Sequence, residues 1–368
     1  MPGAEIPTYW DYLKLDRLLE LQTGLESDDG RLESDELHFI IVHQVYELWF
    51  KLVLRELRLA RDRLSAPRVP EETVPQVVHH LRRVNEILKL AVDQFRVVET
   101  LTPQDFLGFR DKLVPSSGFQ SFQMREIELV LGLGDAQRVR IGGTDPLEHI
   151  RSAAAGTLAG AAAWRRIEAA RREKTLLAAL DAWLHRTPIQ GSSPADPGDA
   201  RAVGEFMSAY LECHERLHAA QAEHWVGAGA GSREALRGRL AADLARAREF
   251  LSAADVPEPE RPRRQRIRAG ILFIESYRDL PLLAWPRLLV DTIVELEELL
   301  VLWRTRHARM VERVIGRRVG TGGSPGVEYL DQTLHYRIFV DLWSVRTLLL
   351  PRDALPALGN PAFYGFAV

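Results

Sequence analysis

Residues 303–316, Trp-Arg-Thr-Arg-His-Ala-Arg-Met-Val-Glu-Arg-Val-Ile-Gly, decide how the rest of the chain is interpreted. Apolar side chains recur there at helical spacing, which predicts the last turns of a long helix that ends at Gly316. His307 lies inside the apolar stripe, and arginines stand nearby at positions 304, 306 and 309. A buried imidazole beside guanidiniums suits an axial ligand to an anionic, planar iron cofactor. It also suits an ordinary hydrogen-bonded core histidine, and the helix alone does not decide between the two.

Composition describes an ordinary globular protein. The chain has 368 residues, of which 46% are hydrophobic and 27% charged, and its formal net charge is −3. That balance gives no sign of a nucleic-acid partner. The single cysteine, Cys213, excludes an internal disulfide framework and is typical of a reducing compartment. We see no signal peptide and no uninterrupted apolar run of about 20 residues, so we expect a cytoplasmic protein without a membrane span.

Hydrophobic periodicity predicts an all-α fold, organised as a single domain over residues 1–368. A first helix begins near Tyr9. Further helices are predicted at about residues 36–64, 74–100, 104–113, 121–133, 147–186, 202–225, 233–254, 264–277 and 286–315, and residues 328–350 close the fold. The Pro- and Gly-rich breaks around residues 187–200 and 255–263 set off a more variable helical lobe at about 187–262.

The second long helix carries a histidine on an aromatic face. His43 shares that face with Phe39, Tyr46 and Phe50 by helical spacing. A hydrogen-bonded core histidine explains the pattern. The functional alternative is a histidine that accepts or transfers a proton above a flat apolar pocket.

Arg125 falls in the first turns of a helix that follows the loop Ser117-Gly-Phe-Gln. A cation near a helix N-terminus is unfavourable unless an anion lies beside it. Glu126, Glu128 or Asp111 could be that anion. A substrate carboxylate bound by the guanidinium fork is the functional alternative.

The loop Gly320-Thr-Gly-Gly-Ser-Pro-Gly326 resembles a phosphate-binding loop only superficially. It lacks the Gly-Lys-Ser/Thr ending and follows a helix rather than a strand, so we do not expect a P-loop. Its glycines indicate a backbone that approaches a neighbour closely, with the Thr321 hydroxyl available for binding.

A second chemical hypothesis is a zinc hydrolase. His214-Glu215-Arg-Leu-His218 fits the H-E-x-x-H pattern, and His224 has the spacing of a third ligand. The extended pattern requires a glycine before the third histidine, and Gln221 stands there instead. A helix that continues through this segment would turn His224 away from the other two imidazoles.

Taken together, the motifs resemble the tryptophan 2,3-dioxygenase family, whose members are haem enzymes. The resemblance is carried by stretches in family order over nearly the whole chain: residues 9–15, 39–51, 117–125, 173–177, 182–188, 303–316, 320–326, 341–343 and 350–352. The segment from about 191 to 262 matches least. The family fold is all-α, which agrees with the periodicity.

The resemblance implies a haem b cofactor and the substrates L-tryptophan and dioxygen, with N-formylkynurenine as the product. It implies that His307 is the axial iron ligand and that His43 is the distal histidine facing the indole N–H. It also implies that Arg125 binds the amino-acid carboxylate and that Thr321 contacts the ammonium or carboxylate. Phe39 would form a wall of the indole pocket.

Tyr9 and Tyr12 match a tyrosine pair that the family inserts into the site of a neighbouring subunit, which implies a homotetramer. Some residues depart from the family pattern: Pro325 replaces a serine in the Gly loop, and His38 replaces an apolar residue beside Phe39. Such changes leave open a related haem monooxygenase that converts tryptophan, or a substituted tryptophan, to a 2-oxindole in secondary metabolism. A non-enzymatic helical interaction protein is the third class of hypothesis.

Overall fold

A computed structural model describes residues 8–140, 145–229, 232–323 and 325–365. Helices make up 72% of it, and the described residues form no β-strand beyond an isolated bridge between Ile189 and Ser192. The all-α prediction is therefore confirmed.

Sixteen α-helices are found in the described part of the chain. They are α1 (Tyr9–Leu13), α2 (Leu15–Leu18), α3 (Ser34–Leu64), α4 (Thr73–Asp93), α5 (Phe95–Val98), α6 (Pro103–Phe109), α7 (Phe122–Leu131), α8 (Pro146–Ala154), α9 (Leu158–Arg172), α10 (Leu176–Arg186), α11 (Asp199–Gly227), α12 (Arg233–Leu251), α13 (Arg261–Ser276), α14 (Ala284–Ile315), α15 (Val327–Thr333) and α16 (Val340–Ser344). Short 3₁₀ turns join several of them.

The core is built on three long helices: α4 packs against both α3 and α14, and α7 and α10 pack against α3. Each of the three long helices buries an apolar stripe against its neighbours, as an amphipathic helix must in a globular bundle. Fully buried side chains in this stripe are Val53, Leu54, Leu57, Val77, Leu81, Leu289, Ile293 and Leu296. The bundle holds one end of α3, α7 and α14 around a common space.

Caps fix the ends of the helices that bear the candidate residues. The Ser121 hydroxyl accepts the Met124 backbone N–H and begins α7, as the sequence predicts. Gly316, with φ of 60°, ends α14 at the predicted position. Helix α3 begins at Ser34, and its N-cap is Glu33.

Two predicted helices are wrong as single elements. The stretch 74–100 is divided at Gln94 into α4 and α5. The stretch 147–186 is divided into α8, α9 and α10, because the hydroxyls of Thr157 and Thr175 each cap a new helix. The stretch 328–350 is interrupted between α15 and α16. There the buried carboxylate of Glu297 accepts the backbone N–H groups of Ile338 and Phe339, so those groups are not available for a helical ladder.

The lobe at 187–262 contains α11 and α12, which pack mainly on each other. Phe206 and Tyr210 of α11 nevertheless belong to the same apolar core as the main bundle. The Tyr210 hydroxyl also donates to the carbonyl of Leu348 and accepts the Leu350 N–H, which ties the lobe to the end of the chain. These contacts join the lobe to the main bundle.

Among the described helices, α3 alone has the length and hydropathy that could also suit a membrane span. It packs against α4, α7 and α10. Its apolar stripe thus serves as a core face of the bundle.

Candidate active site

A cavity of about 320 Å³ lies among α3, α5, α6, α7 and α14, and two loops close its mouth. Its lining is largely aromatic: Phe39, Tyr46, Phe50, Phe95, Phe106 and Trp303. Volume and lining are typical of a pocket for a mostly apolar small molecule with a few polar contacts.

His307 projects from α14 into this cavity. Its ring centroid lies 5.1 Å from that of Trp303 and 5.9 Å from that of Phe95, on which it stacks. Burial, together with the nearby His43 and Arg125, lowers the pKa of His307 to about 4. The imidazole is therefore neutral near pH 7, which is the state in which a histidine nitrogen binds a metal.

His43 reaches the same cavity from α3. Its Nδ1 lies 2.7 Å from the carbonyl oxygen of Phe39, and the two rings are 4.0 Å apart. A carbonyl only accepts, so Nδ1 carries the proton and donates it. Burial lowers the pKa of His43, so the ring is neutral and its Nε2 presents a lone pair.

Arg125 is buried on α7 and lines the cavity. Of the three possible carboxylate partners, the structure selects Glu128, whose two oxygens lie 3.1 and 2.9 Å from Arg125 Nη1. Glu126 instead binds Arg58 and Arg166. Burial opposes the charge of Arg125, but Glu128 together with Tyr329 and Tyr336 outweighs burial and raises the pKa of the guanidinium. Arg125 thus keeps its charge beside an apolar cavity.

The Gly loop forms part of the cavity mouth through Gly320, Thr321 and Gly326. The Thr321 hydroxyl donates to the carbonyl of Ser116. A Cβ on Gly322 would lie 2.8 Å from the Cβ of Ser117, which explains the need for glycine at this close approach. Pro325 is exposed, and Ser324 before it lies outside the described residues.

Tyr9 and Tyr12 are the predicted site residues that the structure does not bring to the cavity of their own chain. They lie on α1 with 70% and 76% of their surface exposed. Within one chain, then, five of the seven predicted residues meet in one place: His307, His43, Arg125, Phe39 and Thr321.

The arginines beside His307 have carboxylate partners. Arg304 binds Glu128 at 3.3 Å, and Arg306 binds Glu99 at 3.0 Å. Arg309 binds Glu312 and Asp331 on the outside of α14. Of the three, only Arg304 lines the cavity.

The H-E-x-x-H motif does not form a zinc site among the described residues. The rings of His214 and His218 are 4.1 Å apart, but Glu215 is directed to Arg248. Helix α11 continues through His224, as the Gln at 221 predicts. The described part of the chain contains no group of three or more potential metal-binding His, Cys, Asp or Glu side chains.

Sequence reasoning missed several cavity residues. The indole N–H of Trp303 and the Nε–H of Arg110 are buried without a hydrogen-bond acceptor, and both residues line the cavity. Trp303 stands one helical turn before His307, so that spacing could have indicated it. Arg110 had no such signal, because its position depends on contact with the carbonyl of Val319 in another segment.

A helical bundle that encloses two neutral imidazoles and a buried guanidinium in an aromatic cavity defines an all-α enzyme for an apolar small molecule that carries an anionic group. The model of the tryptophan 2,3-dioxygenase family matches residues 4–349. The chain belongs to the tryptophan 2,3-dioxygenase family.

Relatives from three bacteria agree with that assignment. A tryptophan 2,3-dioxygenase of Sorangium cellulosum (strain So ce56) is 47% identical over 367 residues, covering 98% of this chain and 87% of the relative. Tryptophan 2,3-dioxygenase 2 of Ralstonia nicotianae is 46% identical over 370 residues, covering 98% of both chains. A tryptophan 2,3-dioxygenase-like protein of Xanthomonas campestris pv. campestris (strain 8004) is 47% identical over 278 residues, which cover 73% of this chain and 98% of that protein.

Proposed function

We propose that the protein is a haem-dependent oxidoreductase that inserts both atoms of dioxygen across the indole C2=C3 bond of L-tryptophan and forms N-formylkynurenine. Family membership and the relatives named tryptophan 2,3-dioxygenase support this activity. They favour it over the 2-oxindole-forming monooxygenase.

The cavity residues fit a haem b. His307 is neutral and supplies a ring nitrogen for the iron. The indole N–H of Trp303 and the Nε–H of Arg110 have no acceptor among the described residues, and each can donate a hydrogen bond to a propionate carboxylate. When bound, the haem supplies the redox-active iron at which dioxygen is activated.

The remaining side chains would bind and orient tryptophan. Arg125 offers a charged fork to the α-carboxylate, and Thr321 offers a hydroxyl to the amino-acid end. His43 Nε2 accepts the indole N–H, while Phe39 packs on the ring system. Binding the substrate at both ends holds it in one orientation in the cavity. At the extreme, such orientation lowers the activation free energy by roughly 7–11 kcal/mol.

The aromatic lining excludes water from the reacting bond. In this proposal His43 positions the substrate by accepting a hydrogen bond from the indole N–H, and it does not serve as an obligatory base. The buried, neutral state of the ring supports that role.

The N-terminal helices support a homotetrameric assembly. Tyr9, Trp10, Tyr12, Leu19 and Leu21 all have more than half of their side-chain surface exposed in the single chain. A cluster of large exposed apolar side chains is typical of a surface that a partner covers. We infer that α1 and α2 cover the cavity mouth of a neighbouring subunit in a cytoplasmic tetramer, with Tyr9 and Tyr12 completing its wall.

The observation that carries the proposal is the meeting of His307, His43 and Arg125 in one aromatic cavity. Turnover of L-tryptophan with ¹⁸O-labelled dioxygen, followed by mass spectrometry, tests it. We expect a product with two labelled oxygen atoms, together with a Soret band that His307→Ala abolishes or weakens. A product with one labelled atom would refute dioxygenation, and a colourless active enzyme would refute the cofactor.

A further inference from the structure

Glu128 is a buried carboxylate at the centre of three guanidiniums. Only 2% of the residue is exposed. It receives Arg125 Nη1 from its own helix, Arg138 Nη1 at 3.1 Å from the following segment, and Arg304 Nη2 at 3.3 Å from α14. Burial favours protonation of Glu128, but the three guanidiniums hold the pKa of this carboxyl below its usual value.

Among the residues that the structure describes, the charges around Glu128 do not balance. Arg125, Arg138 and Arg304 are all buried, and Glu128 is the buried carboxylate they share. Asp135 adds a second negative charge 3.5 Å from Arg138, but that aspartate is largely exposed to solvent. The cluster therefore keeps a surplus of positive charge in a region where solvent screens little.

That surplus faces the cavity, because Arg125, Arg304 and Glu128 all belong to its lining. A buried cation surplus favours an anion that can enter from the cavity side. Arg304 also stands one helical turn before His307 on α14. One carboxylate thus links the helix of the proposed substrate-binding arginine to the helix of the proposed iron ligand.

We propose that Glu128 is a positioning residue for the substrate carboxylate: it holds the Arg125 guanidinium in the orientation that binds this group, and it acts on the substrate only through Arg125. The inference rests on the proposed function. It assigns to Glu128 the selection of carboxylate-bearing indoles over those without a carboxylate.

The chain offers a matched control on the same helix. Glu126 is equally buried, and it binds two arginines, Arg58 at 2.7 Å and Arg166 at 2.8 Å. It does not line the cavity. E128Q and E126Q therefore remove the same charge from similar surroundings, and both should lower the melting temperature.

E128Q enlarges the positive surplus, which alone would favour an anion, so a rise in KM reports the lost orientation of Arg125 and not a change in net charge. Only E128Q should raise KM for L-tryptophan, by roughly tenfold, the factor expected when a charged hydrogen-bonding partner is lost. Binding of tryptamine, which lacks the carboxylate, should be the same in both variants, as read from the ligand-induced shift in melting temperature. Glu128→Asp keeps the charge with a shorter reach and provides a second variant, for which we expect an intermediate KM.

The double variant with Arg125→Ala tests whether Glu128 acts through Arg125. In that background E128Q should no longer change the affinity for L-tryptophan. Equal KM values for E128Q and E126Q, or an equal loss of tryptamine binding, would overturn the positioning role and leave the proposed function intact. A wild-type protein that neither binds nor turns over L-tryptophan would overturn both.

Discussion

Replacing Arg125 with alanine should raise the L-tryptophan concentration needed for half-maximal turnover. It should leave the haem content per chain nearly unchanged. Arg125 is buried, so solvent screens its charge little. A hydrogen bond to a charged group contributes about 1.5–3 kcal/mol, and a guanidinium fork can make two of them to one carboxylate. Losing about 3–4 kcal/mol corresponds to a rise in KM of roughly 10²–10³-fold.

The cost to folding should be smaller, because Glu128 keeps Arg138 and Arg304 as partners when Arg125 is removed. We expect a loss of about 1–3 kcal/mol in the free energy of unfolding. Steady-state kinetics, the Soret absorbance per chain and thermal unfolding measure the three quantities. Arg266→Ala is the matched control, since Arg266 is also buried and binds Asp199 through two hydrogen bonds away from the cavity.

Two results would refute this reasoning. An Arg125→Ala protein that loses haem would make Arg125 a structural or cofactor-binding residue. A KM for L-tryptophan no higher than that of Arg266→Ala would mean that the substrate carboxylate binds elsewhere.

Haem uptake should not vary between about pH 6 and pH 8, because the pKa of His307 is held near 4 and the ring has no proton to release; an affinity that falls as the pH drops through 6.5 would contradict this. Glu275→Gln should stabilise the protein at about pH 8, by on the order of 1 kcal/mol, and have no such effect near pH 4. Burial raises the pKa of Glu275 above its usual 4.5. The wild type therefore loses stability as the pH rises from 4.5 through the raised pKa of the folded state. Thermal unfolding across pH measures the difference, and a gain independent of pH would count against it. Gly322→Ala should lower the melting temperature and raise KM several-fold, because its Cβ would lie 2.8 Å from that of Ser117. Gly108→Ala, which lies in helix α6 and meets nothing within 4 Å, should neither lower the melting temperature nor raise KM, and it serves as the control.

The helices that carry the candidate site could be predicted from local signals. The apolar stripe and Gly316 define the end of α14, and Ser121 defines the start of α7. Because helical spacing fixes which side chains share a face, His307 and His43 could each be assigned to an inward face.

The meeting of these helices could not be read from spacing alone. Arg304 binds Glu128 across 176 positions of sequence, and neither residue carries a local sign of that contact. The break after α15 has the same origin, since Glu297 lies 41 positions before the N–H group of Ile338 that it accepts. That the candidate residues share one site was predicted from the resemblance to a family and not from periodicity.

The helix breaks at Thr157 and Thr175 were missed for a different reason. Both threonines are ordinary N-caps, but the alanine-rich sequence around the first favours helix throughout. A local cap overrode propensity at both positions.

The bond between His43 and Phe39 has a consequence for which molecules the cavity can discriminate. In an α-helix the carbonyl of Phe39 already accepts the backbone N–H of His43, and here it accepts Nδ1–H of the same residue as well. A backbone carbonyl thus fixes the tautomer of this imidazole, and no substitution of another side chain would reverse it. A bicyclic ring system whose N–H reaches Nε2 donates a hydrogen bond there. Its oxygen, sulfur or N-methyl analogue has no N–H at that position, so the Nε2 lone pair receives no hydrogen bond.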